Sequence, residues 1–275
     1  MKIFICILVW LSVSLVVSAD ELKREELKFG VFPYVSAHQI IRNYSSMKYY
    51  FEKEVGVSTL ILSAKNFADF VAKTENREFD VIFTAPHFAL RAEREGSYER
   101  LVRIEGMMAA QLVVPESGRI KTLEDLKDVT VFMPDPLAII SVLGKSELSK
   151  NTLTEAKDFS FRSIQSHRNI LMSIMQKEQT VGFASSIMVE SFNKKKKRKL
   201  RVLQSSEHIP TAMFMMNAKL SGEMKQRLMT AMEEMKDTPY GNDFFSGMPF
   251  SGFQKISDND MRLLAPYADR LELML

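Results

Sequence analysis

Short apolar runs take turns along this chain with longer stretches whose apolar residues recur every third or fourth position. The first rhythm is that of a buried strand, the second that of a helix packed on one side. LKFGVF (Leu27 to Phe32) reads as a strand. SAHQIIRNYSSMKYYFEKEVG reads as a helix with Ser36 as its cap. Ile40, Ile41, Tyr44, Met47, Phe51 and Val55 fall on its apolar face, and Gly56 stops it. STLILSA is the next strand, and a helix is expected from about Asn66 to Asn76. FDVIFTA is a buried strand, and PHFALRAEREG opens with Pro86 and ends at Gly96, as helices often do. Strands around RLVRIE and MAAQLVV follow.

The second half repeats this grammar. TLEDLKD predicts a short helix with Thr122 as cap and Asp125 closing a capping box. VTVFM is a strand that runs into MPDPLAIISVLG (Met133 to Gly144), which predicts a helix with a proline just inside its start and an apolar first turn. FSFRSI is a strand, SHRNILMSIMQKEQ a helix capped by Ser166, and VGFASS, LRVLQSS and TAMFMMNA are strands. Closing helices are expected near Ser221 to Lys236, Pro239 to Ser246 and Asp258 to Met274. Alternating strands and helices predict an α/β fold with a parallel-type sheet covered on both faces. Ligands of such sheets sit at the carboxyl ends of strands, beside helix N-termini. The junctions FPYVSAH, FTAPH, FMPDPLA and IQSHRN therefore matter most, with FASS a fifth.

Composition narrows the class. The chain has 275 residues, enough for one large domain or two lobes, and no low-complexity linker divides it. MKIFICILVWLSVSLVVSAD has an early lysine, an apolar run and Val17-Ser18-Ala19 before Asp20, the pattern of a secretory signal peptide cleaved after Ala19. Cys6 is the only cysteine and lies inside that leader, so the mature chain is expected to lack disulfides and thiolate metal sites. Loss of Lys2 with the leader takes the formal charge from +3 to +2, too balanced for a nucleic-acid binder. The run KKKKRKLR (Lys194 to Arg201) stands apart; it reads as a solvated helix end or loop, or else as a contact for anionic lipid or a partner.

Catalytic signatures are missing. The chain has no Gly-x-Ser-x-Gly elbow, no phosphate-loop motif and no His-Glu-x-x-His zinc motif. No spacing of His38, His87, His167 and His208 demands a metal, although three of them fall at or just after expected strand ends. No nucleophile–base pair is visible, so an enzyme is not expected, and no cofactor is implied. The many methionines read first as core filling.

In order along the chain, LKFGVFPY, FDVIFTAPHFALRAE, LVVPESGRIKTLEDLKDVTVFMPDP, SIQSHRNILMSIMQKEQTVGFAS and VLQSSEHIPTAMFMMNAKL resemble the blocks of the phosphate/phosphite/phosphonate-type periplasmic substrate-binding proteins of ABC importers. SGFQKISDNDMRLL is similar to that family's tail. The resemblance implies a two-lobed type II periplasmic binding fold, each lobe a mostly parallel sheet flanked by helices. One lobe would comprise residues 20–107 and 208–275, the other 108–207, with two hinge crossings near Met108–Val113 and Ser205–Ala212. Ligand capture would close the lobes.

The resemblance also exposes departures. In the family the helix after the Asp-Pro pair usually opens with a Ser-Thr-Ser type run that grips a phosph(on)ate. Here the positions read Leu137-Ala138-Ile139-Ile140-Ser141, leaving backbone amides and the helix dipole without the hydroxyls. An acid expected near VGFAS, which would hold a ligand amine, is replaced by Thr180-Val181-Gly182. The residues expected to contact ligand are Tyr34, Thr84, His87, Leu137, Ala138, Ile139, His167 and Ser185, with Ser186 beside them. The expectation is a periplasmic receptor, a monomer, that delivers a small ligand to an ABC permease in the inner membrane. A phosphate- or phosphonate-like oxyanion is the family default, and a more apolar organic acid is the reading the departures favour. The alternative is a sensing component that presents its ligand to a membrane histidine kinase.

Overall fold

The computed structural model describes residues 26–151, 159–164, 167–176, 180–195, 199–246 and 250–275. The expected leader, the Ser166 cap and the middle of the basic run lie outside these residues. The chain opens with β1 (Glu26–Val31), α1 (Ala37–Glu54), β2 (Ser58–Leu62), α2 (Phe67–Glu75), β3 (Val81–Thr84), α3 (Pro86–Arg94) and β4 (Tyr98–Ile104). It continues through β5 (Met107–Met108), β6 (Ala110–Pro115), β7 (Val129–Met133), α4 (Ile139–Lys150), β8 (Phe159–Ser163), α5 (His167–Gln176), β9 (Val181–Ser185), α6 (Ser186–Lys195) and β10 (Leu200–Ser205). It ends with β11 (Ile209–Pro210), β12 (Met213–Asn217), α7 (Gly222–Glu234), α8 (Pro239–Ser246), β13 (Phe253–Gln254) and α9 (Asp258–Glu272).

Two sheets divide the strands. The first runs β13-β4-β12-β3-β1-β2 and the second β10-β6-β9-β7-β8, while β5 and β11 pair with each other between them. The β5–β11 pair is antiparallel, with Ile209 opposite Met108 and Pro210 opposite Met107. Each sheet is more mixed than strand–helix alternation implies. The triplets β2-β1-β3 and β8-β7-β9 are parallel, but β12, β4 and β13 on one side and β6 and β10 on the other enter antiparallel. Of these, β4, β6, β10 and β12 flank the two expected crossings.

The local chemistry explains most elements. Ser36 caps α1 through a full capping box with Gln39, and Gly56 after it has φ of +78°. Ile40, Tyr44, Met47, Phe51 and Val55 are buried as expected, but Ile41 is 59% exposed. One residue on from Ile40 is a step of about 100° around the helix, and that carries Ile41 off the packed stripe; Tyr50 is buried instead. In the middle of the first sheet Phe29 meets Tyr44, Phe51 and Phe214 at centroid distances of 5.6, 5.9 and 6.1 Å. Gly30 leaves room for Phe79, whose ring a Cβ there would approach to 2.5 Å.

Three expectations need correcting. The turn at Thr122 is a single 3-10 turn (Glu124–Leu126) with no side-chain cap, so only the Asp125 half of the expected box is made: Asp125 accepts the Lys121 and Thr122 N–H groups at 2.7 and 3.1 Å. The helix after β7 begins at Ile139, so Pro136 lies before it rather than inside its start. Asp135 delays it: its Oδ1 accepts the Leu137 N–H and its carbonyl accepts the Ala138 N–H, which inserts a turn between strand and helix. Finally, α6 fills a stretch where no helix was expected.

Candidate functional site

The carboxyl ends of β1, β3, β7 and β9 meet at a cleft between the two sheets. Its volume is about 240 Å³. The first lobe supplies an aromatic wall. Phe32, just after β1, stacks on Tyr34 at 4.8 Å and meets Phe83 of β3 at 5.5 Å, while Phe67 of α2 lies 6.0 Å from Phe32. Tyr44 of α1 meets Phe83 at 5.4 Å, and its hydroxyl lies 3.2 Å from that of Tyr34. Burial raises both phenol pKa values, so the hydroxyls stay neutral and serve as hydrogen-bonding groups.

The second lobe supplies two helix starts. Ala138 is the N-cap of α4 and offers no side-chain cap. The Ser141 and Val142 amides turn back to the Ala138 carbonyl, and the Leu137 and Ala138 amides go to Asp135. That leaves the Ile139 and Ile140 N–H groups without an acceptor within the helix, and both residues line the cleft at the positive end of the helix dipole. Ser141 does not take the place of the missing hydroxyl run: it is fully buried and donates to the Pro134 carbonyl at 3.2 Å. The second start is α6, where Ser185 Oγ accepts the Met188 N–H at 3.3 Å. Ile187 and Met188 line the cleft beside it.

The expected site residues separate into groups. Tyr34, Ala138, Ile139 and Ser185 line the cleft together. Thr84, His87 and Leu137 do not line it and lie behind its wall. Thr84 and His87 are both fully buried, and neither Thr84 Oγ1 nor His87 Nδ1 has a hydrogen-bond partner. His87 Nε2 lies 2.9 Å from the Leu137 carbonyl, which makes it the donor. His167 is the first residue of α5, and its side chain lies outside the described residues. Ser186 holds the crossing strand instead, its Oγ accepting the Ala109 N–H.

Sequence reasoning missed Phe32, Phe83, Tyr44 and Phe250 on the aromatic side and Ile187 and Met188 on the other. Phe32 and Phe83 had a signal, since both sit at the carboxyl ends of expected strands. Tyr44 and Phe250 had none, because they reach the cleft from a helix face and a loop. Among the described residues the lining includes one acid, Asp135, and no lysine, arginine or histidine. Among the described residues no group of His, Cys, Asp or Glu could hold a metal ion, and no helix is long and apolar enough to cross a membrane.

Solved structures share this architecture. A binding-protein component of an ABC phosphonate transporter from Pseudomonas aeruginosa superposes with a TM-score of 0.77 at 17% identity, covering 91% of this chain and 89% of that one. PhnD1 from Prochlorococcus marinus in complex with methylphosphonate gives 0.76 at 12% identity, with coverages of 90% and 98%. A Xanthomonas citri protein solved bound to ATP gives 0.72 at 17% identity, with coverages of 90% and 98%. A search of curated proteins returns no significant match. Residues 29–261 match the family described as "ABC transporter, phosphonate, periplasmic substrate-binding protein". The chain therefore belongs to the phosphonate-type periplasmic substrate-binding proteins of ABC transporters.

Proposed function

We propose that this periplasmic receptor captures a small organic acid with an apolar body, such as an alkyl or aryl phosphonate, sulfonate or carboxylate. The observation that carries the reading is the cleft lining: an aromatic wall faces the start of α4 at Ile139 and Ile140, with no basic side chain among the described lining residues. The anionic head sits at the Ile139 and Ile140 N–H groups, and the body lies against Phe32, Tyr34 and Phe83. Ala138, Ile139, Tyr34 and Ser185 make the contacts, while Thr84, His87 and Leu137 form the support behind them. His167 at the start of α5 is kept as a contact to the head group. With no hydroxyl run at α4, a bare oxyanion finds too few donors, because each hydrogen bond to a charged group is worth about 1.5–3 kcal/mol. Thr180-Val181-Gly182, where the family carries an acid, offers nothing to an amine. A cleft of about 240 Å³ suits a ligand below drug size.

The lobes divide at the β5–β11 pair, near residues 107 and 208, and close there on the ligand. Family membership supports delivery to a membrane permease rather than presentation to a kinase. We take the receptor to act as a monomer, with its leader cleaved after Ala19. N-terminal sequencing of the exported protein should begin at Asp20, and any other start moves that boundary.

Calorimetric titration with phosphate, methylphosphonate, butylphosphonate, phenylphosphonate, butanesulfonate and hexanoate tests the ligand class. Each buried methylene contributes about 0.8 kcal/mol, roughly fourfold in affinity, so the longer acids should bind best. Tighter binding of phosphate or methylphosphonate than of their longer homologues would overturn the reading.

A further inference from the structure

Behind the cleft a buried hydrogen bond joins the two lobes, which also meet where α4 packs on α9 and where the Tyr267 hydroxyl donates to Glu207. His87 stands at the second position of α3, in the first lobe, and its Nε2–H donates to the Leu137 carbonyl, in the loop before α4 of the second lobe, at 2.9 Å. The ring has no exposure and lies against Phe88, with centroids 4.1 Å apart. The acceptor belongs to the residue next to Ala138, so the bond fixes the helix start that carries the open amides. Separating the lobes must break it and wet the ring.

We propose that His87 is a latch that joins the lobes only while its ring is neutral, so that closure, and with it ligand capture, weakens as the surroundings acidify. The inference rests on two-lobe closure and not on the identity of the ligand. A carbonyl accepts and never donates, so the bond fixes the proton on Nε2 and leaves Nδ1 as a bare lone pair. Nδ1 is buried without a partner, and no hydrogen bond joins it to Thr84 Oγ1, which is equally unpartnered. A second proton would therefore place a charged donor where no acceptor meets it.

Charged groups on the surrounding elements do not soften that cost. Arg91 is paired with Glu75 of α2 and with Glu95, and Arg94 with Asp269 of α9. On β4, Arg100 is paired with Glu93 and Asp258, and Arg103 with Asp260. Strand β12 carries no charge, and Asp135, before Leu137, accepts the Leu137 N–H. Burial pushes the ring down from 6.5 to about 4, opposed by the bond to Leu137. The closed form thus binds fewer protons than the open form, in which the wetted ring returns to its ordinary range. Closure is at full strength above about pH 6.5 and is lost as pH falls toward 4, by roughly tenfold per unit over that window.

Small-angle scattering of the full protein at pH 7.5 and 4.5, with no ligand added, tests this. Circular dichroism at both pH values checks that the lobes stay folded. The wild type should be compact at pH 7.5 and expanded at 4.5. His87→Gln keeps a donor for Leu137 but does not titrate, and it should stay compact at both. His87→Ala should be expanded already at pH 7.5. A wild type that stays compact at pH 4.5, or a His87→Gln protein that expands with acid as the wild type does, overturns the proposal. Should the variants fail to fold, ring-carbon NMR of the wild type decides: His87 must take up its proton together with the expansion, and titration near 6.5 in a compact particle refutes the latch.

Discussion

Replacing Asp260 by asparagine isolates the ion pair that ties α9 to the end of β4. Arg103 and Asp260 are 5% exposed each, and Arg103 Nε donates to Asp260 Oδ2 at 3.2 Å. The same guanidinium donates to the carbonyls of Ile104 and Gly106, the latter at 2.6 Å and just before β5. The same carboxylate accepts the Ser257 N–H and hydroxyl at 2.8 and 2.9 Å, capping α9. Asparagine keeps an oxygen for the cap but removes the charge, which leaves a buried guanidinium without its counter-ion. Breaking a buried pair from one side costs about 3–5 kcal/mol, and the two carbonyls that remain place this case near 3. For a chain of this size that lowers the melting temperature by roughly 6–12 °C. Removing the stranded cation as well, in Arg103→Met with Asp260→Asn, should recover most of the loss. Asp269→Asn, at the exposed partner of Arg94, is the control and should cost under about 0.5 kcal/mol. The assay is urea unfolding with all four proteins side by side. If Asp260→Asn stays within about 1 kcal/mol of wild type, or if the double variant is no better than the single one, burial of the charge is not what sets the cost.

Other expectations follow from the same geometry. Restoring the hydroxyl run with Ala138→Ser, Ile139→Thr and Ile140→Ser should raise methylphosphonate affinity by roughly ten- to a hundredfold per new bond, read by calorimetry; no gain would place the lost specificity elsewhere in the cleft. Gly144→Ala puts a Cβ 2.8 Å from three ring atoms of the buried Phe183 and should cost about 1–3 kcal/mol in urea unfolding; a neutral result would show that the ring has room to move. Ile41→Lys should change stability by less than about 0.5 kcal/mol, and a larger loss would mean that this exposed position is packed after all.

What could be read in the sequence depended on the range of the interaction. Ser36 with its apolar stripe, Asn66 ahead of α2 and Ser221 ahead of α7 are local signals, and each cap is made. The α6 helix escaped notice because its cap, Ser185, is also the last residue of β9, and because the SIMVESFNKK pattern is only weakly one-sided. Two-residue pairings such as β5 with β11 have no period to detect. At the cleft, strand ends were legible and lateral neighbours were not. Nothing near His87 in sequence announces a bond to a carbonyl fifty positions away in the other lobe. Leu137 and Ile139, read as a single apolar turn, face different ways: one carbonyl latches to His87 and one amide opens to the cleft.

The strand order of the first sheet has a consequence for biosynthesis. Strand β12 lies between β3 and β4, yet it is made after the entire second sheet. Until residue 217 has been synthesised, β3 and β4 have no neighbour to bridge them, and the first hydrophobic core stays split down its middle. The second sheet, built from the continuous stretch between residues 110 and 205, meets no such delay. The first sheet can therefore be completed only after the C-terminal third has been made, whereas the second can close while the chain is still growing.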